Sequence, residues 1–215
     1  LSTFESLFRD GLKNFQGLKI EQLWTDKSTY KVIKLDFSRV KPEGTFEDFC
    51  QYFDNYLEAQ FSLIGFKKED NGLFLSNQIE IFLAGLSSSS LVLLIDEYDA
   101  PLTACLDNKE FFERVRNYLS RFYGILKAND RVLRFLFITG ITKFNKTSIF
   151  SELNNLSDVS LSPRFGTLLG YTHEEVETYF DGYLTQSASV LSVSRDELLR
   201  SLTKQYDGFC FERTT

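Results

Sequence analysis

Two adjacent acids, Asp96 and Glu97, stand directly after the five apolar residues Leu91–Ile95. Carboxylates in this arrangement suit phosphoryl-transfer chemistry, because one holds Mg²⁺ through its water shell while the next polarises an attacking water molecule. The same pattern also arises where a core strand simply runs into a solvated turn. The residue types therefore nominate Asp96 as a metal ligand and Glu97 as a water-activating residue, with a purely structural role as the alternative.

A strand buried on both faces of a parallel sheet is the element that would position these acids. Leu91–Ile95 fits such a strand, since it is an uninterrupted apolar run preceded by the polar residues Ser87–Ser90. Open α/β sheets bind ligands at the carboxyl ends of their strands, where the acids would lie. This strand-plus-acid pattern is called Walker B. Asp99, two positions before Pro101, is predicted instead to cap a helix, its carboxylate accepting a backbone N–H.

Alternation of strands and helices predicts an α/β fold with a parallel, three-layer sheet. We expect strands at 32–38, 91–95 and 131–139, an edge strand near 159–161, and helices over 1–16, 45–64, 73–86, 109–127 and 148–156. After Gly170 the pattern changes to helices alone, over 172–184 and 194–205. The expected organisation is a core at 1–168 followed by a small helical, lid-like appendage at 169–215.

Composition limits the classes of function. A hydrophobic share of 43% with 25% charged residues is typical of a globular protein. No apolar run approaches the roughly 18 residues of a membrane span, and no basic-then-apolar leader opens the chain. The net charge is −6 and the 24 basic residues are scattered, so this segment is a poor candidate for binding nucleic acid unaided.

Individual residue types narrow the chemistry further. Cys50, Cys105 and Cys210 are far apart and odd in number, which predicts neither a disulfide framework nor a zinc knuckle and suits a reducing cytoplasm. The sole histidine, His173, lies in the helix-opening capping box Thr172–Glu175, which argues against a histidine-based triad or multi-histidine metal site. Methionine is absent even at position 1, so we expect residues before Leu1.

Acids of this kind need a phosphate-binding loop as a partner. The usual pattern, G-x-x-x-x-G-K-[ST], has no complete copy in the sequence. Gly140–Thr147 differs from it by Asn145 in place of the second glycine, where a side chain would intrude on the phosphate, and it would follow the acid-bearing strand. Since the chain begins inside an amphipathic helix with no visible cap, we expect the phosphate-binding loop, Walker A, upstream of Leu1.

Several separated stretches together resemble a known family. They are, in order, Leu91–Leu102 (LVLLIDEYDAPL), Phe137–Leu156 (FITGITKFNKTSIFSELNNL), Ser157–Leu161, Gly170–Val176 (GYTHEEV) and Tyr206–Phe211 (YDGFCF). In this order they are similar to the predicted AAA-ATPase-like family. The resemblance implies a P-loop NTPase of the ASCE/AAA-like type, ATP and Mg²⁺ as ligands, and, as in many members, a restriction-endonuclease-like nuclease domain after Thr215.

The resemblance also carries roles to particular positions. Asp96 and Glu97 match the family's metal-binding and water-activating acids, and Thr139 matches a polar sensor that could bond the γ-phosphate or the water. A strand-end threonine that merely caps its turn remains the alternative for Thr139. Gly140, Lys143, Asn145 and Lys146 fall in a family loop whose chemistry stays unassigned. Candidates for a phosphate-stabilising arginine are Arg114, Arg116, Arg121, Arg131, Arg134 and Arg164, and spacing selects none of them.

The leading hypothesis is a Mg·ATP-binding and hydrolysing module whose lid, residues 169–215, governs an attached nuclease or other effector domain. The alternative is a non-catalytic interaction or regulatory domain that keeps the fold, with its 22 phenylalanines feeding a partner surface. A nucleic-acid enzyme in its own right is disfavoured by the acidic balance. The family resemblance leaves a ring oligomer open, because no residue identifies a subunit interface.

Overall fold

The structure is a computed structural model that describes residues 1–142 and 156–206. The chain divides into two compact units, Leu1–Asn154 and Asn155–Thr215. The expected boundary at residue 168 falls inside the second unit, and the division into a core and a lid stays a prediction. The helix expected over 148–156 lies almost wholly outside the described residues.

The described part of the first unit combines a parallel sheet with helices, which confirms the α/β class. Its strands are β1 (Lys31–Asp36), β2 (Leu91–Asp96) and β3 (Leu133–Ile138). Its helices are α1 (Ser2–Asp10), α2 (Ile20–Leu23), α3 (Phe46–Ser62), α4 (Leu75–Ala84), α5 (Ala100–Thr103) and α6 (Lys109–Ala128). Short 3₁₀ turns cover Gly11–Asn14, Phe37–Arg39 and Asp130–Val132.

The strands pair in the order β1-β2-β3, all parallel, so β2 is central. Each of the five residues Leu91–Ile95 is 0% exposed, which confirms the prediction of a strand buried on both faces. Asp36 pairs with Asp96 in the register of β1 and β2, and Ile95 pairs with Ile138 in that of β2 and β3. All three strands therefore end at the same edge of the sheet.

Each face of the sheet is buried. On one face, Phe8 of α1 packs with Val32, Val92 and Leu94, and Phe4 joins this cluster from the start of the helix. Because side chains alternate along a strand, Ile33, Leu35 and Leu93 point to the opposite face. These three are at most 1% exposed, so that face is closed as well.

Local bonds explain where the elements begin and end. Capping boxes begin α3, at Thr45 and Asp48, and α7 (His173–Tyr179), at Thr172 and Glu175, as predicted. β1 stops at Asp36, two residues earlier than expected, because the Asp36 carboxylate accepts hydrogen bonds from the N–H and hydroxyl of Ser38 and so starts a 3₁₀ turn.

The described part of the second unit is helical. It contains α7, α8 (Asp181–Leu191) and α9 (Arg195–Tyr206), which bury a small cluster of Leu184, Ala188 and Leu198. The helix predicted over 172–184 is thus two helices. The edge strand predicted near 159–161 is wrong, since the Ser160 N–H bonds the Asp158 carboxylate and the Ser162 N–H bonds the Val159 carbonyl, which forms turns instead of a ladder.

Truncating the central strand should be costly. We expect Leu93→Ala to lower the free energy of unfolding by about 3 kcal/mol, because it removes buried methyl groups and leaves a cavity. The matched control is Leu23→Ala, where the side chain is 67% exposed and the change should stay within about 0.5 kcal/mol. Urea denaturation measures both, and equal losses for the two variants would contradict the placement of β2.

Candidate functional site

Three polar side chains meet where the parallel strands end. Asp36 lies at the end of β1, Asp96 at the end of β2, and Thr139 directly after β3, where its N–H donates to the Ile95 carbonyl at 2.9 Å. Glu97 follows Asp96 at the same edge. Carboxyl ends of parallel strands are the common ligand-binding edge of α/β sheets, so this acidic edge is the candidate site.

Asp96 and Thr139 are directly bonded. The Thr139 hydroxyl donates to Asp96 Oδ1 at 2.5 Å, and both residues are partly buried. The same hydroxyl lies 3.5 Å from the Ile95 carbonyl oxygen. The threonine therefore holds a carboxylate of the neighbouring strand, and no donor among the described residues contacts Asp96 Oδ2.

Glu97 has an unusual backbone. Its φ is +49°, in the left-handed region that non-glycine residues rarely adopt. Its carboxylate forms no hydrogen bond or ion pair with any residue that the structure describes, although the residue is partly buried. Strained backbone of this kind persists where the surroundings over-determine it and clusters at functional sites.

Asp99 was predicted to accept a backbone N–H of the following helix, and this prediction is wrong. Asp99 stands at the N-cap position of α5, but its side chain makes no bond to that helix. Its carboxylate accepts the backbone N–H groups of Ile141 at 3.3 Å and Thr142 at 2.5 Å. The residue is 3% exposed, and a buried carboxylate needs donors that local helix geometry does not supply here. No spacing rule could have found partners that lie 42 and 43 positions away.

Gly140 allows the two loops to approach each other. A Cβ at this position would lie 2.5 Å from the Tyr98 ring and 2.6 Å from Asp99 Oδ1. Close packing between the two loops therefore explains why this position holds a glycine, and the explanation needs no bound phosphate. Residues 143–147 of the near-match to a phosphate-binding loop, which include Lys143, Asn145 and Lys146, lie outside the described residues.

Asp36 is the acid that sequence reasoning missed. The predicted strand ran on to residue 38, which concealed the strand-end position of this carboxylate. In the structure it bonds the Ser38 N–H at 3.1 Å and the Ser38 hydroxyl at 2.5 Å, while the Asp36 N–H donates to the Tyr56 hydroxyl at 2.7 Å. Asp36 thus lies beside Asp96 at the edge of the sheet, and its carboxylate accepts both hydrogen bonds from Ser38 in the turn that follows β1.

Among the described residues of the first unit, no candidate arginine forms a hydrogen bond or ion pair with Asp96 or Glu97. Arg114 pairs with Glu47, Arg116 with Glu113 and Arg134 with Asp26; Arg131 donates to the Ala84 and Leu86 carbonyls; Arg164 lies over the Phe165 ring; and Arg121 lines a groove beside α4. An arginine role at the acidic edge stays unassigned.

Two cavities of the described residues lie away from the acidic edge. A cavity of about 320 Å³ lies between α3, α4 and α6, and one of about 450 Å³ lies around the loop that precedes α4. Within the described ranges, no group of three or more histidine, cysteine or acidic side chains converges on a point that could hold a metal ion. None of the described helices has the length and apolar character needed to cross a membrane.

The close packing at Gly140 can be tested against a second glycine. We expect Gly140→Ala to lower the free energy of unfolding by about 1–3 kcal/mol, since the new methyl group overlaps the Tyr98 ring. Gly124→Ala, in the middle of α6 with nothing within 4 Å of the new Cβ, should be neutral or stabilising by up to about 1 kcal/mol. Thermal unfolding of both variants decides the matter, and a neutral Gly140→Ala would contradict the loop packing.

Comparison with known proteins identifies the family. The family model described as predicted AAA-ATPase, AAA-ATPase-like, matches residues 1–150. A protein from the vnfD 5′ region of Azotobacter chroococcum mcd 1 is 29% identical over 182 residues, which cover 84% of this chain and 35% of that protein. The chain thus spans about a third of the length of this relative. No solved structure matches the chain. The chain belongs to the AAA-ATPase-like family.

Proposed function

We propose that the acidic edge is the Mg·ATP site of an ATPase module. Asp96 would hold Mg²⁺ through its water shell, and Glu97 would polarise the water that attacks the γ-phosphate. The observation that carries this proposal is the Thr139–Asp96 hydrogen bond at the end of a fully buried central strand, beside Glu97, whose carboxylate has no partner in the part of the chain that the structure describes. Family membership, which points to nucleotide binding, supports it.

The donor set fits magnesium bound together with a nucleotide. Mg²⁺ prefers hard oxygen ligands and is commonly held by one or two carboxylates together with phosphate oxygens and water. Asp96 has one oxygen oriented by Thr139 and the other without a donor among the described residues. A site with so few protein ligands is consistent with the lack of a metal-ligand cluster in the described residues. Bound Mg²⁺ would neutralise charge on the transferring phosphoryl group.

Thr139 is proposed as the sensor residue. Its hydroxyl donates to Asp96 at 2.5 Å. It therefore orients the metal-binding carboxylate directly. With nucleotide bound, the same hydroxyl would be within reach of the γ-phosphate or the attacking water, because both would lie at the edge where Asp96 and Thr139 end their strands.

We also propose that the complete fold is a three-layer P-loop NTPase of the ASCE/AAA-like type, with a further strand beside β3. β1 contains two lysines, Lys31 and Lys34, and edge strands of sheets are often rich in lysine. β3 is apolar except for Arg134, and its apolar residues are only partly buried. Within the described chain it pairs with β2 alone. That composition is typical of an interior strand.

The start of α1 supports an origin for this strand upstream of Leu1. The Phe4 ring packs against the rings of Phe135 and Phe137 at 5.5 and 5.1 Å, so the first turn of α1 lies beside β3. A strand paired with β3 could continue directly into α1, and a phosphate-binding loop between them would bring the triphosphate to a helix N-terminus, which favours anions.

Regulation of an effector completes the proposal. Residues 169–215 would act as a helical lid, and ATP occupancy or hydrolysis would govern an attached nuclease or other effector domain. The relative from Azotobacter is long enough to hold additional domains, since the matched region is 35% of it. The net charge of −6 fits a module that does not itself grip nucleic acid.

The role of Glu97 can be tested in the full-length protein, with the segment before Leu1 included. We expect Glu97→Gln to lower kcat for ATP hydrolysis by at least about 100-fold with Mg·ATP binding retained, because the amide cannot polarise the water. Glu110→Gln, an exposed acid in the first turn of α6, is the control and should leave kcat unchanged. Equal activity of Glu97→Gln and wild type would overturn the assignment of Glu97.

The missing strand has its own test. Hydrogen exchange of the β3 amides that face away from β2 should slow by at least about 10-fold when the upstream segment is added, because these groups would gain ladder partners. β1 provides the internal control, since its outer edge should exchange at the same rate in both proteins. Unchanged exchange at β3 would argue against a strand at this position.

A non-catalytic interaction domain is the second candidate. The observation in its favour is a set of exposed aromatic side chains on the second unit: Tyr171, Tyr179, Tyr183 and Tyr206 are each at least 64% exposed. Tyrosines are enriched at protein interfaces. Absence of Mg·ATP binding by the full-length protein would favour this candidate, and tight Mg·ATP binding would exclude it.

A further inference from the structure

We infer that Asp99 is a positioning residue for the proposed ATP site, acting through Thr139. This inference rests on the proposed function. Asp99 would not touch nucleotide or water. Its carboxylate instead joins the loop after β2 to the loop after β3 by accepting the backbone N–H groups of Ile141 and Thr142, an arrangement called here the Asp99 clamp.

The Asp99 clamp restrains the loop that follows β3. Asp99 is 3% exposed, and burying a carboxylate is costly unless donors surround it. Two backbone amides supply these donors, at 3.3 Å from Ile141 and 2.5 Å from Thr142. Hydrogen bonds to an ionised acceptor are roughly twice as strong as neutral ones, so the loop cannot shift without exposing or orphaning the charge.

Tyr98 adds a second connection between the same loops. Its N–H donates to the Thr139 carbonyl at 3.0 Å, and its hydroxyl donates to the Thr142 carbonyl at 2.8 Å. Gly140 lies against both Tyr98 and Asp99, with no room for a Cβ. Four hydrogen bonds therefore hold residues 139–142 against residues 98–99.

This connection reaches the proposed chemistry through Thr139. The residue has Gly140 on one side and the end of β3 on the other, and its hydroxyl sets the Asp96 carboxylate at 2.5 Å. Loosening residues 141–142 would let the Thr139 hydroxyl drift from Asp96 without removing any group that is proposed to contact the nucleotide. Displacements near 1 Å in a reacting geometry cost up to about 100-fold in rate. The expected effect is thus on kcat and not on KM.

The test compares Asp99→Asn with Asp107→Asn in the full-length protein. Asp107 is an exposed acid shortly after α5 and outside the site. We expect Asp99→Asn to lower kcat for ATP hydrolysis by about 10- to 100-fold with KM for Mg·ATP within about threefold, and Asp107→Asn to match wild type. If Asp99→Asn does not fold, Tyr98→Phe, which removes the hydroxyl that bonds the Thr142 carbonyl, should show the same kcat-selective loss at smaller size.

A double-mutant cycle separates positioning through Thr139 from a general loss of structure. The kcat of Asp99→Asn/Thr139→Val should be within about threefold of the slower single variant, because the two changes act on one path. Multiplicative losses would overturn the inference, as would a loss confined to KM.

Failure of the inference is distinguishable from failure of the proposed function. A kcat that falls in Glu97→Gln but not in Asp99→Asn or Tyr98→Phe would remove the Asp99 clamp from the mechanism and leave the ATPase proposal standing. Hydrolysis that is insensitive to Glu97→Gln would overturn both.

Discussion

Parallel pairing of β2 with β1 on one side and β3 on the other is the constraint on which the candidate site depends. Parallel strands end at a common edge, so residues distant in sequence, such as Asp36, Asp96 and Thr139, become neighbours there. The pairing is held by the burial of Leu91–Ile95 on both faces. Hydrophobic burial of this strand thereby sets the positions of the polar side chains of the candidate site.

At this edge the structure combines a strained residue with a rigid surrounding. Glu97 adopts a left-handed conformation at φ +49°. Asp96, the residue before Glu97, accepts a hydrogen bond from Thr139. Tyr98 and Asp99, the two residues after Glu97, are bonded to residues 139–142, which follow β3. The backbone at Glu97 is therefore fixed from both sides, which is the preorganisation that the proposed action of this residue on a bound water would require.

The proposed site also needs a phosphate-binding loop. The described residues place acids at the edge but provide no phosphate-binding loop, and β3 presents an apolar strand with one side unpaired. The first turn of α1 lies against that strand through Phe4. Both features are explained together if the chain before Leu1 supplies the next strand and the loop, as proposed.

Much of this protein could be predicted from sequence because the signals were local. An uninterrupted apolar run indicated the central strand, and the Thr45 and Thr172 capping boxes marked helix starts that the structure confirms. The edge strand near 159–161 was predicted wrongly, because a short apolar pattern does not reveal whether a partner strand is available, and turn bonds formed instead. Asp99 precedes α5 as predicted, but its carboxylate accepts the N–H groups of two residues distant in sequence and none from that helix.

The sequence by itself therefore determined the three strands of the sheet, the helices α3, α4 and α6, and which acids end the central strand, because these depend on residue types a few positions apart. Only the tertiary structure decided that Thr139 bonds Asp96 and that Asp99 joins two loops. These contacts link positions brought together by sheet register and loop packing, which arise from the burial of whole elements and leave no periodic signal in the chain.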